Sequence, residues 1–207
     1  MNASVSRFPG APRLVLGSTS PYRQDLLKRL GLPFDVRAPG VDEAALLGER
    51  PEALACRLAQ AKAQAVATAC PQEDVVVIGS DQVADLEGRA LGKPGDHAGA
   101  TEQLRAMRGR TVRFHTAVSV CRPANGFSET VLETVEVDFR PLSDQEIEAY
   151  LQREQPYDCA GSAKVEALGI TLLSRVNSND PTALIGLPLI AVCRLLRAAG
   201  LDPLSRA

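Results

Sequence analysis

The chain has 207 residues, 45% of them hydrophobic, and a formal net charge of −2. That is enough apolar material to bury one good core, as one large domain or two lobes, and too little positive charge for a general nucleic-acid binder. No apolar run approaches membrane-spanning length, and the five cysteines, odd in number and without a C-x-x-C pair, indicate neither a zinc site nor a disulfide frame. A reducing cytoplasm is the simplest setting. Residues 1–12, with Pro9, Gly10 and Pro12 and no signal-peptide core, read as a flexible leader before a single domain at 13–207.

Residues 13–17 form a short apolar run that gives way to a small-residue turn, and the turn opens a helix. Ser20 is a good N-cap, and Pro21 suits the first helical position, where no backbone N–H is needed. Leu26, Leu27 and Leu30 recur at helical spacing, and Gly31 closes the segment. Strand, turn and helix start leave free N–H groups at a positive dipole end, a place for an anion. Arg23 lies in that first turn, where a cation is unfavourable against the dipole. It is either a solvated surface charge or a cation waiting for phosphate.

An extended stretch leads to Val41-Asp42-Glu43, and an alanine-rich helix follows over about 51–69. Leu54, Leu58, Ala61 and Ala65 form its apolar stripe. Lys62 sits at the edge of that stripe, as a snorkelling lysine or as a second phosphate ligand. Residues 74–84 read as a central strand, unbroken in its apolar residues before Gly79 and interrupted by Asp81 and Gln82. A carboxylate placed by such a strand must be paired, metal-bound or at an exposed strand end. Val83 resumes the apolar pattern, and the turn signal, Leu86-Glu87-Gly88, comes later.

Leu91-Gly92-Lys93-Pro94 sets a lysine on a rigid bend. Asp96 can cap a helix running to Arg108, with Ala100, Leu104 and Met107 inward and Gly109 at its end. From Thr111 the period changes to two: Val112, Phe114, Thr116, Val118 and Val120 alternate with their neighbours. Asn125-Gly126 turns the chain into a returning strand through Val131, Val135, Val137 and Phe139. His97 and His115 lack a ligand-spaced neighbour and read as structural. Ser143-Asp144-Gln145-Glu146 is a capping box that starts a helix to about Arg153. The small-residue segment Cys159 to Glu166 carries two isolated charges, Lys164 and Glu166. A last strand is expected over 170–176, a turn over 177–181, and an apolar helix from Gly186-Leu187-Pro188 through Ile190, Cys193 and Leu196. The pattern fits an α/β or α+β sheet with flanking helices and a cleft between two lobes.

Ser18-Thr19-Ser20-Pro21, Val41-Asp42-Glu43, Gly79-Ser80-Asp81-Gln82, Leu91-Gly92-Lys93-Pro94 and Gly186-Leu187-Pro188-Leu189 stand in the order and rough spacing of the Maf family. These are nucleoside triphosphate pyrophosphatases, once called septum formation inhibitors. The resemblance runs from about Arg13 to the end. Tyr157-Asp158-Cys159-Ala160-Gly161-Ser162 with Glu166 shortly after looks like the 7-methyl-GTP pyrophosphatase branch. The dTTP/UTP branch more typically has Asp-Lys-Ala-Gly there and a paired Arg-Arg after the first Ser-Pro. Tyr22 stands where the 7-methyl-GTP enzymes carry tryptophan.

The resemblance implies a mixed twisted sheet like that of the inosine triphosphate pyrophosphatases, often dimeric, and a divalent cation, Mg²⁺ or Mn²⁺. It implies Asp81 as proton acceptor and Tyr22, Gln82 and Glu166 as the residues that set base choice. Ser18, Ser20, Arg23, Lys62 and Lys93 would face the phosphates, and Glu43 and Asp81 the metal. These types suit the chemistry. Cleaving a triphosphate between its α and β phosphorus atoms needs neutralised oxygens, a positioned water and an acceptor for its proton. A methylated guanine is cationic, so an aromatic face and a carboxylate both favour it over GTP. The partner is then a small-molecule nucleotide, with neither nucleic acid nor membrane involved. Two alternatives stay open: a dTTP/UTP pyrophosphatase, and a non-catalytic nucleotide-binding regulator of septum formation.

Overall fold

The computed structural model describes residues 12–205. Of the expected leader, all but Pro12 lies outside the described residues, and Pro12 is buried. The first strand, β1 (Arg13–Gly17), leads into α1 (Pro21–Lys28), and the cap forms as the sequence implies: Ser20 Oγ accepts from Arg23 N–H, with proline in the first turn. The two-residue strand β2 (Asp35–Val36) and the long helix α2 (Pro51–Thr68) follow. Next come β3 (Val75–Leu86), β4 (Arg89–Leu91), α3 (His97–Met107) and the strands β5 (Thr111–Arg122) and β6 (Phe127–Phe139). The chain closes with α4 (Asp144–Glu154), β7 (Leu173–Asn177) and α5 (Leu189–Ala198). The capping box at Ser143 and Glu146 is fully formed.

All seven strands belong to one sheet in the order β2-β1-β3-β5-β6-β7, with β4 also on β3. β1 is parallel to β3, whereas β5, β6 and β7 run antiparallel to their neighbours, so the sheet is mixed. β3 is its centre. Along one edge β3 pairs with β5 from Val77 to Asp85. Along the other it pairs with β1 only as far as Gly79, and with β4 only from Ala84. Among the described residues, Ser80, Asp81, Gln82 and Val83 therefore have no strand beside them on that edge. The sheet has a notch at the place where its apolar pattern breaks.

Side chains alternate across β3, and each face is covered differently. On one face α1 and α5 bury Val76 and Ile78, while α3 and α4 pack over Ala84 and Leu86. Ser80 and Gln82 fall between these two clusters. On the opposite face α2 runs the length of the strand, over Val75 and Val77 at one end and Val83 at the other. Asp81 falls between those ends, beneath α2. The two lobes expected from the pattern are thus two core clusters on one continuous sheet.

Several expectations change on contact with the packing. The buried face of α2 comprises Leu54, Ala55, Leu58, Ala59, Lys62, Ala63 and Val66; Ala61 and Ala65 are only half-buried. Lys62 is at the middle of that face, 4% exposed, and does not snorkel. The helix comes closer to the sheet than usual, because Gly17 and Gly79 are register partners beneath it. A Cβ at Gly79 would lie 2.3 Å from the Ala59 carbonyl oxygen and 2.5 Å from the Ala63 nitrogen. The alternation along β5 fades after Phe114 because both its faces are covered there. Residues 170–172 belong to a 3₁₀ turn, and the last strand begins at Leu173. Ile190 faces outward on α5, which turns Ala191, Val192, Leu195 and Leu196 to the core.

Candidate active site

The notch in the sheet opens into a cleft of about 500 Å³, within the range of small-molecule pockets. All ten residues singled out in the sequence line it: Ser18, Ser20, Tyr22, Arg23, Glu43, Lys62, Asp81, Gln82, Lys93 and Glu166. They come from six separate stretches of one chain, and two groups of contacts run among them.

The first network is charged. Lys62 Nζ lies 2.6 Å from Asp81 Oδ1 and 2.6 Å from Glu43 Oε1. Asp81 is 8% exposed, which is tolerable only because it is paired. Its Oδ2 accepts no hydrogen bond among the described residues. Burial alone would raise the Glu43 pKa. The hydrogen bond from Lys62 and the charges of Lys62, Lys93 and Arg23 outweigh it and hold that carboxyl below its ordinary value. Arg23 donates from Nε to the Gly186 carbonyl at 2.9 Å and from Nη1 to Ser18 Oγ at 3.4 Å. Burial lowers the guanidinium pKa, against the attraction of Asp81 and Glu43. Ser18 Oγ also accepts from Ser20 N–H at 3.2 Å, which shapes the turn at the start of α1. Lys93, on the loop after β4, is exposed at the mouth.

Glu43 and Asp81 converge on one point, now held by the Lys62 ammonium. Among the described residues, no three His, Cys, Asp or Glu side chains converge to cage a metal. Two carboxylates at an open cleft suit a hard ion such as Mg²⁺ or Mn²⁺ whose other ligands are phosphate oxygens and water.

The second network surrounds an aromatic ring. Tyr22 O–H donates to Asp158 Oδ2 at 3.5 Å and accepts from the Cys159 thiol at 3.8 Å. Burial, with Cys159 and Asp158 adding to it, raises the Tyr22 pKa, so the phenol stays protonated. Burial also pushes the Cys159 thiol up to about 12, with Asp158 adding to the shift. Glu166 stands at the rim. Desolvation against the pocket wall raises its pKa, Glu154 and Asp158 push the same way, and Lys164 opposes them. Lys164 Nζ lies 3.8 Å from Asp158 and 3.9 Å from Glu154. One lysine among three carboxylates leaves this corner with excess negative charge.

Gln82 lines the cleft but is anchored through its amide nitrogen. Its amide nitrogen donates to Thr116 Oγ1 and to the carbonyls of Ala183 and Leu184, at 2.9, 3.1 and 3.0 Å. Its N–H groups are therefore spent on β5 and the 3₁₀ turn over residues 183–185, and only Oε1 remains for a ligand. Neither histidine joins the site: His97 bridges Tyr157 and Glu148, and His115 bridges Asp85 and Thr134.

Three contributors were assigned no site role from the sequence. Asp158 lines the ring network, and its signal was its place in the Tyr157–Ser162 segment that carries the resemblance. Gly186 acts through its carbonyl, which accepts from both Arg23 Nε and Ser80 Oγ. Its φ of +119° explains why glycine stands there. Asp180, 2% exposed, fixes the same wall: its carboxylate accepts from Thr182 N–H, Thr182 Oγ1 and Ile190 N–H, which supplies α5 with the cap that Pro188 cannot.

The family described as Maf-like protein matches residues 13–199. A protein of Albidiferax ferrireducens named 7-methyl-GTP pyrophosphatase is 60% identical over 93% of this chain and 96% of its own length. One of the same name from a Polaromonas species is 59% identical over 96% of this chain and 90% of its own. Another, from Xanthomonas campestris pv. campestris, is 60% identical over 91% and 97%.

Proposed function

The chain belongs to the Maf family, and on that premise we propose that it is a nucleoside triphosphate pyrophosphatase that hydrolyses 7-methyl-GTP to 7-methyl-GMP and diphosphate. The observation that carries the reading is the division of the cleft: Arg23, Lys62, Lys93 and Asp81 in one network, Tyr22, Asp158 and Glu166 in the other.

In this reading the triphosphate lies along the first network. The α1 start offers backbone N–H groups, and Arg23 and Lys93 neutralise phosphate oxygens. Arg23 is aimed by Gly186 and Ser18, and its Nη2 has no hydrogen-bond partner among the described residues. Lys62 holds Asp81 by Oδ1, so Oδ2 is the oxygen that accepts a proton from water. The water oxygen bonds to the α phosphorus, the bond from that phosphorus to the bridging oxygen breaks, and diphosphate leaves with the electron pair. Glu43 and Asp81 would hold the divalent cation, which when bound supplies charge neutralisation and a more acidic water.

The second network suits a cationic base. The Tyr22 ring gives it a face to stack on, Asp158 and Glu166 meet its charge, and Gln82 Oε1 accepts from a base-edge N–H. An uncharged pyrimidine would leave that negative charge unanswered. Among the described residues, no helix is long and apolar enough to cross a membrane.

The test is a panel of 7-methyl-GTP, GTP, dTTP and UTP with the purified full chain and Mg²⁺ or Mn²⁺, reading diphosphate and orthophosphate separately. Diphosphate release fastest from 7-methyl-GTP, abolished by a chelator, is the expected result. A preference for dTTP or UTP, or binding without release, contradicts the reading.

A further inference from the structure

Behind the cleft, one side chain touches both of its walls. Gln103 projects from the second turn of α3 and does not line the cavity. Its amide nitrogen donates to the Gly92 carbonyl at 3.0 Å, and its amide oxygen accepts from Ser162 Oγ at 2.7 Å. Gly92 precedes Lys93 on the phosphate side. Ser162 belongs to the loop that carries Cys159, Ala163 and Glu166 to the base side.

The Ser162 end of this bridge is unusual. Ser162 is fully buried with φ of +55°, a left-handed conformation that L residues rarely adopt, immediately after Gly161 at +70°. Its hydroxyl donates to Gln103, and its carbonyl accepts from Tyr150 O–H at 3.2 Å. The same Tyr150 hydroxyl accepts from Lys164 N–H at 3.0 Å. A non-glycine residue persists in this region only where its surroundings over-determine it, and here they are Gln103, Tyr150 and the Cys159 carbonyl, which accepts from Ser162 N–H at 3.2 Å. Both donor and acceptor of the Gln103 amide are used, so a side chain of the same length without an amide breaks both ties at once.

We propose that Gln103 is a positioning residue: a strut that fixes the distance between the Lys93 loop and the Ser162–Glu166 loop, so that base recognition and phosphate alignment occur in one register. The inference rests on the substrate reading given above. It locates part of the base preference outside the cavity, in the spacing of the walls.

The test compares kcat/KM for 7-methyl-GTP and GTP in the wild-type chain, Gln103→Met and Ser162→Gly. Gln103→Met keeps the length and apolar stem. Ser162→Gly removes the hydroxyl while relieving the left-handed backbone, so loss of stability cannot mimic loss of the tie. Both variants should lower the ratio of the two kcat/KM values by about tenfold, because a small misplacement of a positioned substrate costs this much or more. Their melting temperatures should stay within a few degrees of wild type. In Gln103→Met combined with Glu166→Ala, the ratio should fall no further than in Glu166→Ala alone, since the strut acts through that wall. If wild-type protein releases no diphosphate from 7-methyl-GTP, both readings are overturned. If wild type shows the preference and the two single variants retain it, or lower both substrates equally, the strut alone is overturned.

Discussion

Lys62 Nζ stands 2.6 Å from Asp81 Oδ1 across a helix–strand gap that is narrow because position 79 carries no side chain. Glycine in the middle of a central strand ordinarily weakens it. Here it lets the α2 backbone at Ala59 and Ala63 settle onto β3, and that close approach brings a lysine from the buried face of the helix to a carboxylate on the strand.

Gly79→Ala should therefore damage both stability and activity. The added Cβ meets backbone atoms at 2.3 and 2.5 Å, and these cannot move aside as a side chain could. Overpacking of this kind costs about 1–3 kcal/mol, which a urea unfolding curve would register. The displaced helix would carry Lys62 away from Asp81, so diphosphate release should fall with it. A variant with the wild-type midpoint and full turnover would show that the close approach is incidental.

The negative corner around Tyr22 gives a second expectation. Asp158→Asn and Glu166→Gln should each reduce the kcat/KM preference for 7-methyl-GTP over GTP while changing GTP turnover little. Tyr22→Ala should remove a cation–π contribution of about 0.5–2 kcal/mol, a loss of roughly 2–30-fold in that ratio. Tyr22→Trp should raise it, since indole presents the stronger face to a cation. Steady-state kinetics on the two nucleotides checks all four.

The loop that carries Glu43 is fastened by a pair whose pH dependence has a definite sign. Arg57 donates from Nε and Nη2 to the two oxygens of Glu49, at 2.7 and 2.8 Å, and from Nη2 to the Ala44 carbonyl at 2.9 Å. Hydrogen bonds from Arg57, and next the one from Leu46 N–H, bring the Glu49 pKa down from 4.5 to about 2. A depressed carboxylate pKa means that the unfolded chain binds more protons over this interval. The stabilisation is whole above 4.5 and is lost as pH falls towards 2. Carbon-13 titration of the Glu49 carboxyl should show the low midpoint, and Arg57→Ala should return it towards its ordinary value.

Local patterns made much of the architecture legible. The Ser20-Pro21 start of α1, the Ser143–Glu146 capping box and the apolar run into Gly79 each depend on residues a few positions apart, and each forms as written. Lys62 was harder. Helical periodicity put it at the margin of a stripe through Ala61 and Ala65, but the paired glycines beneath α2 draw a different face to the sheet. The resemblance implies Gln82 as a base reader, and nothing nearby in sequence revealed that Thr116, Ala183 and Leu184 take up its amide hydrogens. The roles of Asp158, Asp180 and the Gly186 carbonyl were not legible for the same reason: their partners lie on other elements, and a carbonyl leaves no mark in side-chain patterns. The resemblance brought distant stretches together where spacing alone could not.

The most direct test is diphosphate release from 7-methyl-GTP by Asp81→Asn at saturating nucleotide and Mg²⁺. The asparagine keeps the shape of the carboxylate and cannot take a proton from water. Nucleotide should still bind, the circular dichroism spectrum should match wild type, and turnover should drop by about 10²–10⁴-fold, as expected when a general base is removed. A variant that turns over within a few-fold of wild type would mean that the carboxylate held by Lys62 in the notch of the sheet is not the proton acceptor.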